Sequence, residues 1–305
     1  MRPSPTMPLG LLAGTDHPIR PEFADVTVRG MTADSRAVKP GYLFAALRGV
    51  SSDGLGFIGD AVARGAAAVL CAADASLAAD PGVPVLRAKE PRSALALLAA
   101  RFYPLQPEKL VAVTGTAGKT SVAVFARQIF TAAGHAAASI GTIGVVGPHG
   151  SVYGSLTTPD PVELHATLND LVLDGVTHAA LEASSHGLDQ HRLDGVCLQA
   201  AAFTNLGRDH MDYHAMVEDY FAAKMRLFAE LLPEGATAVI DADGPYAARV
   251  ATIAGDRGQT IISTGAAGTS IRLLSAVPDG LRQVLELDVF GEPMMVELPL
   301  AGAFQ

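Results

Sequence analysis

The chain has 305 residues, enough for two domains, and 49% of them are hydrophobic, so a large core is expected. Its formal net charge of −9 argues against a general binder of nucleic acid or of membrane surfaces. No apolar run reaches the roughly 18–20 residues that a membrane-spanning helix needs, so membrane insertion is not expected.

The N-terminal block, residues 1–107, is predicted to contain short strands and Ala-rich helices such as Ile58–Arg64 and Ser93–Phe102. The apolar stretch at residues 9–13 follows Pro8 and contains Gly10, and Arg2 is the one basic residue ahead of it, so no signal peptide is predicted and the cytoplasm is the expected location. Residues 103–107 hold two prolines and are predicted to be a linker.

The two cysteines of the chain, Cys71 and Cys197, both lie among apolar neighbours and are predicted to be small core residues. They provide no disulfide framework. So few cysteines, both predicted to be buried, are typical of proteins in a reducing compartment.

From residue 108 onward strands and helices alternate, which indicates a mostly parallel α/β sheet. The predicted strands are Leu110–Thr114, Thr177–Ala183, Ala200–Thr204 and Ala236–Asp241. The predicted helices are Lys119–Ala133, Val162–Asp174 and Met216–Leu232. The stretch from Thr260 to Leu300 is predicted to be a β-meander with turns at residues 279–280 and 291–292.

The most informative stretch is residues 111–121, where an apolar strand runs into a Gly-rich loop and Lys119-Thr120 opens a helix. Backbone N–H groups and a helix N-terminus bind phosphate, Lys119 adds a full charge, and the Thr120 hydroxyl suits a nucleotide-bound Mg²⁺. The loop has the short form G-T-x-G-K-[ST], because Val113 occupies the first glycine position of the longer G-x-x-x-x-G-K-[ST] motif. A chance surface loop is the alternative.

Two further strand ends carry polar residues, and ligands in open parallel sheets lie beyond such ends. Glu182 ends one predicted strand and could hold a nucleotide-bound metal, or could simply face solvent. The loop at residues 204–214 is rich in Asp and His, which suggests a metal or phosphate site, although some of these side chains could cap the next helix.

Lys224 lies on the apolar stripe of the predicted helix Met216–Leu232. Its amine could snorkel to solvent, or it could be desolvated with a lowered pKa and so be open to modification.

Four segments together resemble the Mur ligase family. Their order and spacing follow the family pattern along nearly the whole chain. They are Asp34-Ser35-Arg36 with Pro40-Gly41, Gly115–Ser121, residues 182–188 with Gln190-His191-Arg192, and Phe203–His214 with Ala223-Lys224. The last two favour the branch of the family that adds the third residue of the peptidoglycan stem peptide.

The resemblance implies an α/β protein with a small uridine-binding domain (residues 1–107) and a P-loop-type ATPase domain of mostly parallel sheet (residues 108–305). In this family ATP phosphorylates the carboxylate of the substrate, which is UDP-MurNAc-L-Ala-D-Glu in the branch favoured here, and an amino acid amine attacks the acyl phosphate. The family's third, amino-acid-binding domain has no counterpart in the 305 residues, so the chain alone is expected to be inactive.

The resemblance also implies roles for individual residues. The ATP-binding residues would be Gly115, Thr116, Ala117, Gly118, Lys119, Thr120 and Ser121. Thr120, Glu182, His210 and Lys224 would hold Mg²⁺, with Lys224 carbamylated by CO₂, and the catalytic set would be Lys119, His210 and Lys224. The muramoyl-dipeptide would meet Thr157, Thr158, Ser184, Gln190 and Arg192, and the uridine end would meet Ala33, Ser35, Val50, Ser51 and Ser52.

Three residues depart from the family pattern: Ala117 stands where Asn is common, and Tyr42 and Leu55 replace polar residues near the uridine side. Two other functions stay open. One is a different amide ligase of this architecture, such as a D-Ala-D-Ala-adding or folylpolyglutamate-type enzyme. The other is a non-catalytic protein that binds a nucleotide or UDP-sugar. Whether diaminopimelate or L-lysine is added cannot be predicted from these residues.

Overall fold

The computed structural model describes residues 5–49, 52–154, 156–209 and 212–300. Its contacts divide the chain into two compact units. The first comprises the residues up to Pro107 together with Pro159–Gly175 and Gln190–Val196, and the second comprises Glu108–Thr158, Val176–Asp189 and the residues from Cys197 onward. Within the described ranges, no helix combines the length and apolarity that crossing a bilayer requires.

The strands are β1 (Met7–Pro8), β2 (Thr27–Val28), β3 (Gly30–Thr32), β4 (Tyr42–Ala45), β5 (Ala68–Ala72), β6 (Val85–Ala88), β7 (Lys109–Thr114), β8 (Ala137–Gly141), β9 (Gly144–Gly147), β10 (Gly150–Val152), β11 (His178–Glu182), β12 (Ala200–Phe203), β13 (Thr237–Asp241), β14 (Thr260–Gly265), β15 (Ile271–Asp279), β16 (Arg282–Val289) and β17 (Glu292–Leu298). The α-helices are α1 (Leu9–Ala13), α2 (Ile58–Ala63), α3 (Pro91–Phe102), α4 (Lys119–Ala132), α5 (Pro161–Leu173), α6 (Ser185–Asp189), α7 (Val217–Arg226) and α8 (Ala247–Asp256). Short 3-10 turns occur at Pro21–Phe23, Ser35–Ala37 and Gly54–Phe57, and a π-helical turn follows α7 at Leu227–Leu231.

The first unit contains a parallel four-stranded sheet in the order β3-β4-β5-β6. Alternate side chains of each strand point to opposite faces, so Leu43 joins the apolar cluster that includes α1 and α3, while Phe44 joins the cluster that includes α2. Both faces are therefore covered, as parallel sheets require. Helix α5 also packs on α3 in this unit, and Asp160 caps it through the N–H groups of Val162 and Glu163.

The second unit contains an eleven-stranded sheet in the order β10-β9-β8-β11-β7-β12-β13-β14-β15-β16-β17. In this spatial order the neighbouring strands β8, β11, β7, β12, β13 and β14 are parallel to one another. The antiparallel pairs lie at the two ends of the sheet. Strand β7 is central, and the chain proceeds from it to β8 on one side and later to β12 on the other. This is a topological switch point, the position at which open α/β sheets bind ligands.

The α/β fold class is confirmed, and the four predicted strands and the helices α4 and α5 lie within two residues of their predicted bounds. The predicted helix Met216–Leu232 is helical from Val217 to Leu231, but α7 ends at Arg226 and the segment continues as the π-helical turn. The predicted meander begins too early: β14 pairs in parallel with β13, and the antiparallel pairing starts only at β15. Strands β8, β9 and β10 and helix α8 were not predicted from the sequence.

The predicted core position is correct for Cys71 and wrong for Cys197. Cys71 is fully buried on β5, and burial raises the pKa of its thiol. Cys197 is exposed although its neighbours Val196 and Leu198 are buried. The burial of Val196 and Leu198 therefore does not extend to the residue between them.

Candidate active site

The loop after β7 has a backbone that only glycine fits. Gly115 has φ of 147°, and a Cβ atom there would lie 2.0 Å from the Thr204 hydroxyl oxygen. Gly118, which directly precedes α4, has φ of 86°, but a Cβ there would meet nothing closer than 3.7 Å. Gly115 therefore permits close packing against the neighbouring loop, and Gly118 permits the left-handed turn that starts the helix.

The loop that follows β12 holds the Gly-rich loop in place. The N–H of Thr116 donates to the Asn205 carbonyl at 2.9 Å, and the N–H of Ala117 donates to the Asn205 side-chain oxygen at 3.0 Å. The Ala117 carbonyl accepts from the Thr204 hydroxyl at 2.6 Å. All of these bonds use backbone groups of Thr116 and Ala117 and none uses the Ala117 side chain, so the departure from Asn leaves this support intact.

Two lysines meet at the Gly-rich loop. Lys119 Nζ donates to the carbonyls of Gly115 and Thr116 at 3.0 and 2.9 Å, and Lys224 Nζ donates to the Gly115 carbonyl at 2.8 Å. Lys224 is 1% exposed, and its ammonium group lies 4.3 Å from the centre of the Tyr220 ring. Burial, assisted by the charge of Lys119, lowers the pKa of Lys224 to about 7, against the opposing effect of Asp209.

Lys119 is affected in the same direction as Lys224. Burial lowers its pKa, while the negative charges of Glu182 and Asp209 raise it in part. Lys224 therefore does not snorkel to solvent, and the desolvated-amine interpretation matches the structure.

Glu182 ends β11 with a carboxylate that is 2% exposed. One oxygen accepts from the Thr142 N–H at 2.8 Å, and the other accepts from the Thr120 hydroxyl at 2.9 Å and the Thr142 hydroxyl at 3.2 Å. The solvent-facing alternative for Glu182 is therefore wrong, because β8 on one side and α4 on the other enclose the strand end. A carboxylate beside threonine hydroxyls is a set of hard oxygen donors of the kind that Mg²⁺ prefers.

Thr157, Thr158 and Ser184 lie together beside Glu182. The Thr158 hydroxyl is buried, donates to the Glu182 carbonyl at 2.8 Å and lies 3.0 Å from the Ser184 hydroxyl. The Thr157 hydroxyl lies 3.1 Å from the Thr142 hydroxyl. The structure thus brings three of the predicted substrate-binding side chains to the carboxyl end of β11.

Two residues with no predicted role, Thr142 and Tyr220, contribute to this arrangement. Thr142 directly follows β8 and binds Glu182, as described above. The Tyr220 hydroxyl lies 3.1 Å from the Thr116 hydroxyl, which accepts from the Gly207 N–H at 2.9 Å. Both positions had a usable signal: Thr142 follows a parallel strand, and Tyr220 precedes Lys224 by four residues on the same helical face.

These side chains line a cleft of about 170 Å³. Its lining residues are Thr116, Gly118, Lys119, Thr120, Ser121, Thr142, Thr157, Glu182, Ser184, Ser185 and Lys224. His210 lies outside the described residues. In the described part of the chain, no three His, Cys, Asp or Glu side chains form a metal-binding group. Within the described residues, the oxygen donors that the cleft offers a cation are those of Glu182 and the hydroxyls beside it.

The first unit holds the other predicted site residues. Gln190 and Arg192 flank His191, and an Arg192 guanidinium nitrogen donates to the Gln190 side-chain oxygen at 2.8 Å. Ser35 opens a 3-10 turn that Asp34 caps, Ala33 and Ser52 are exposed, and Val50 and Ser51 lie outside the described residues.

A cavity of about 350 Å³ lies at the carboxyl ends of β4, β5 and β6 in this unit. Its charged lining residues are Arg48, Asp53, Asp74, Glu90 and Arg92, and Leu55 is one of its apolar ones. Ala33, Ser35 and Ser52, although described, are not among the residues that line it. Tyr42, the other departure on this side, packs against Gly30, where a Cβ would lie 2.7 Å from its ring.

Comparison with known proteins gives a consistent result. The family "Mur ligase middle domain" matches residues 113–305, and "Mur ligase family, catalytic domain" matches residues 27–103. A UDP-N-acetylmuramoyl-L-alanyl-D-glutamate–2,6-diaminopimelate ligase of Brucella melitensis biotype 1 is 55% identical over 284 residues, which is 93% of this chain and 58% of the relative. The enzyme of the same name from Bradyrhizobium diazoefficiens is 52% identical over 304 residues, covering 98% of this chain and 62% of the relative.

The solved structures agree with these matches. A structure of a ligase with the same name has a TM-score of 0.86 at 27% identity and covers 98% of this chain and 61% of that protein. The fold is also shared with MurF from Acinetobacter baumannii, with a TM-score of 0.66 at 19% identity and coverage of 99% and 62%. The chain spans about three fifths of the length of these proteins. Since the match to "Mur ligase middle domain" alone takes in more than half of the residues, the chain belongs to the Mur ligase family.

Proposed function

We propose that the protein catalyses ATP-dependent formation of an amide between UDP-MurNAc-L-Ala-D-Glu and 2,6-diaminopimelate, in the cytoplasm, through an acyl phosphate. The observation that carries the proposal is the convergence of Lys119, Thr120, Glu182 and Lys224 on one cleft beyond the switch-point strand β7. The names of the relatives that match this chain over 93–98% of its length support the choice of substrates. Because the chain spans only part of those relatives, the activity is proposed for the protein in its natural length.

The groups that line the cleft suit the phosphates of ATP and Mg²⁺. The space above Gly118 is open, α4 directs its N-terminus at the loop, and Lys119 supplies positive charge for phosphate oxygens. Thr120 and Glu182 would hold Mg²⁺, with His210 proposed as a further ligand from the family resemblance. The bound Mg²⁺–ATP would supply the phosphoryl group and neutralise charge on it.

The protein's own residues would act mainly by positioning and charge stabilisation. Glu182 fixes the hydroxyls of Thr120 and Thr142, and the loop after β12 fixes the Gly-rich loop. The catalytic set proposed is Lys119, His210 and Lys224.

Lys224 is proposed to be carbamylated. A pKa of about 7 leaves a large fraction of the buried amine neutral near pH 7, and the neutral amine is the form that reacts with CO₂. The carbamate would replace a cation that lies close to Lys119 by an anion able to serve as a metal ligand.

The first unit is proposed to bind the UDP end of the substrate, with residues 1–107 as the corresponding domain and 108–305 as the ATPase domain. The cavity at the ends of β4, β5 and β6 supports this location, since ligands of parallel sheets lie at that edge and Arg48 and Arg92 line it. Ala33, Ser35 and residues 50–52 are proposed for the uridine, and Thr157, Thr158, Ser184, Gln190 and Arg192 for the muramoyl-dipeptide.

Phosphate release tests the proposal directly. The protein in its natural length would be given ATP, Mg²⁺ and UDP-MurNAc-L-Ala-D-Glu, with meso-diaminopimelate and L-lysine supplied in separate reactions. Release with diaminopimelate alone is expected, and release with L-lysine alone would correct the amino acid. The variant K119A should lose this release, whereas K109A, which removes an exposed lysine of the preceding strand, should retain it.

Two other outcomes would replace the proposal. Tight binding of the UDP-muramoyl-dipeptide without phosphate release would favour a non-catalytic binding protein. Release with a different acceptor, a D-Ala-D-Ala dipeptide on the tripeptide substrate or glutamate on a folate, would indicate another amide ligase of this fold.

A further inference from the structure

The turn at residues 190–196 contains a strained backbone position. His191 has φ of 58°, and within the described ranges Phe290, in a β-hairpin turn, is the one other non-glycine residue with positive φ. A left-handed conformation costs a non-glycine residue on the order of 1 kcal/mol or more, so the surrounding structure must hold it. The contacts of His191 show what does so.

Asp194 is the centre of those contacts. Its carboxylate oxygen Oδ2 accepts from the Ser93 hydroxyl at 2.6 Å and lies 2.9 Å from His191 Nδ1. Its backbone carbonyl lies 3.0 Å from Nε2 of the buried His165. Helices α3 and α5, which carry Ser93 and His165, therefore both fasten this turn through one residue.

The order of these groups excludes a nucleophilic site. A serine nucleophile requires a histidine base on its hydroxyl, with the carboxylate behind the histidine. Here the carboxylate lies between the hydroxyl and the imidazole, so Ser93 donates to Asp194 and has no such base. The group Ser93–Asp194–His191 can hold a backbone conformation and cannot activate an oxygen.

The fastened turn carries two residues proposed above to bind the muramoyl-dipeptide. Gln190 and Arg192 lie on either side of the strained His191, and their side chains are joined by the 2.8 Å hydrogen bond. A change in the His191 backbone would redirect both side chains. We propose that Ser93, Asp194 and His191 are positioning residues for Arg192, acting on binding of the acidic muramoyl-dipeptide without touching it; this rests on the proposed function.

A double-mutant cycle tests the inference, with KM for UDP-MurNAc-L-Ala-D-Glu, KM for ATP and kcat measured separately. S93A removes a hydrogen bond to the charged Asp194, and this loss is expected to raise KM for UDP-MurNAc-L-Ala-D-Glu about tenfold. KM for ATP and kcat should stay within about twofold, since a positioning effect on one substrate is confined to its binding. In the R192A background S93A should raise this KM much less than tenfold, because Arg192, the charged group through which it mainly acts, is absent.

Two further variants separate positioning from general support. S93T retains the hydroxyl and should restore KM, while S275A removes an exposed serine–carboxylate hydrogen bond elsewhere in the chain and should change nothing. If S93A and R192A raise KM additively, or if S93A lowers the melting temperature without changing KM, the inference is wrong and the cluster is only structural. If the wild type neither binds nor turns over UDP-MurNAc-L-Ala-D-Glu, the proposed function itself fails, and the inference with it.

Discussion

The buried carboxylate of Glu182 serves the proposed metal site and lowers the stability of the folded chain. A buried carboxylate loses its hydration, and here the compensating donors are two hydroxyls and one N–H. In E182Q the amide oxygen can still accept from the Thr142 N–H, and the amide nitrogen can donate to the hydroxyls of Thr120 and Thr142. We therefore expect a free energy of unfolding equal to or up to about 1 kcal/mol above that of the wild type.

E182Q should weaken ligand binding although it does not lower the free energy of unfolding. Loss of the negative charge in E182Q should weaken Mg²⁺-dependent ATP binding about 10- to 100-fold. Calorimetric titration with Mg²⁺–ATP and urea unfolding measure the two quantities. E163Q makes the same change in α5, outside the cleft, and should leave ATP binding unchanged. Equal ATP affinity in E182Q and the wild type would remove Glu182 from the proposed metal site.

His165 gives the chain a pH dependence of stability. It is fully buried on α5, and burial lowers the pKa of its imidazole, against the opposing effect of its bond to the Asp194 carbonyl. In the unfolded chain the imidazole binds a proton once the pH falls below about 6.5, whereas in the folded chain it stays neutral to lower pH. The unfolded state then holds more protons, so the free energy of unfolding falls as the pH falls through this window.

The variant H165Q keeps a side-chain N–H donor and lacks the titration. Between pH 7.5 and 5.5 it should lose about 1 kcal/mol less stability than the wild type, as measured by urea unfolding at both values. H149Q removes an exposed histidine and should follow the wild type. Parallel curves for the wild type and H165Q would show that His165 binds its proton at the same pH in the folded and the unfolded chain, and that burial does not lower its pKa.

The Gly-rich loop depends on Gly115 and Gly118, and each is needed for a different physical reason. G115A would place a Cβ 2.0 Å from the Thr204 hydroxyl, whereas G118A meets open space and bears only the backbone strain. We expect G115A to lose about 1–3 kcal/mol of stability from overpacking in addition to backbone strain, and G118A about 1 kcal/mol. ATP affinity should fall further in G115A, because the loop must separate from Asn205; a larger loss in G118A would contradict this.

The sequence predicted these elements well where their signals are local. An apolar run before glycines and a helical pattern after Lys119 define the strand, loop and helix around the phosphate site. The π-helical turn after Arg226 and the short strands β8–β10 were missed, because no local spacing distinguishes a π turn from an α turn and β9 and β10 are short and rich in glycine. Thr142, which binds Glu182, and Ser93, which binds Asp194, also lie tens of residues away from them in the chain, and only the fold brings these pairs together.

At the scale of the whole molecule, the first unit is discontinuous in sequence. Helix α5 belongs to it, although α5 lies some fifty residues after the linker at 103–107. Leu164, His165 and Leu168 on α5 are fully buried, and the helix packs on α3. A boundary drawn in sequence at residue 107 therefore leaves part of the packing of this unit in the later part of the chain.

A fragment of residues 1–107 should accordingly be less stable than the first unit within the whole chain. Burial of a leucine contributes about 1.5–3 kcal/mol, so loss of α5 should cost the unit several kcal/mol and expose an apolar surface on α3. Urea unfolding and binding of a hydrophobic dye measure both effects. A peptide of residues 159–175 added to the fragment should raise its unfolding midpoint, whereas the same peptide with L164K and L168K should not, because lysine at these positions cannot be buried against α3. The contrary result would be a fragment with the unfolding midpoint of the first unit in the whole chain, unchanged by either peptide. It would show that α5 contributes no stability to this unit despite its buried leucines.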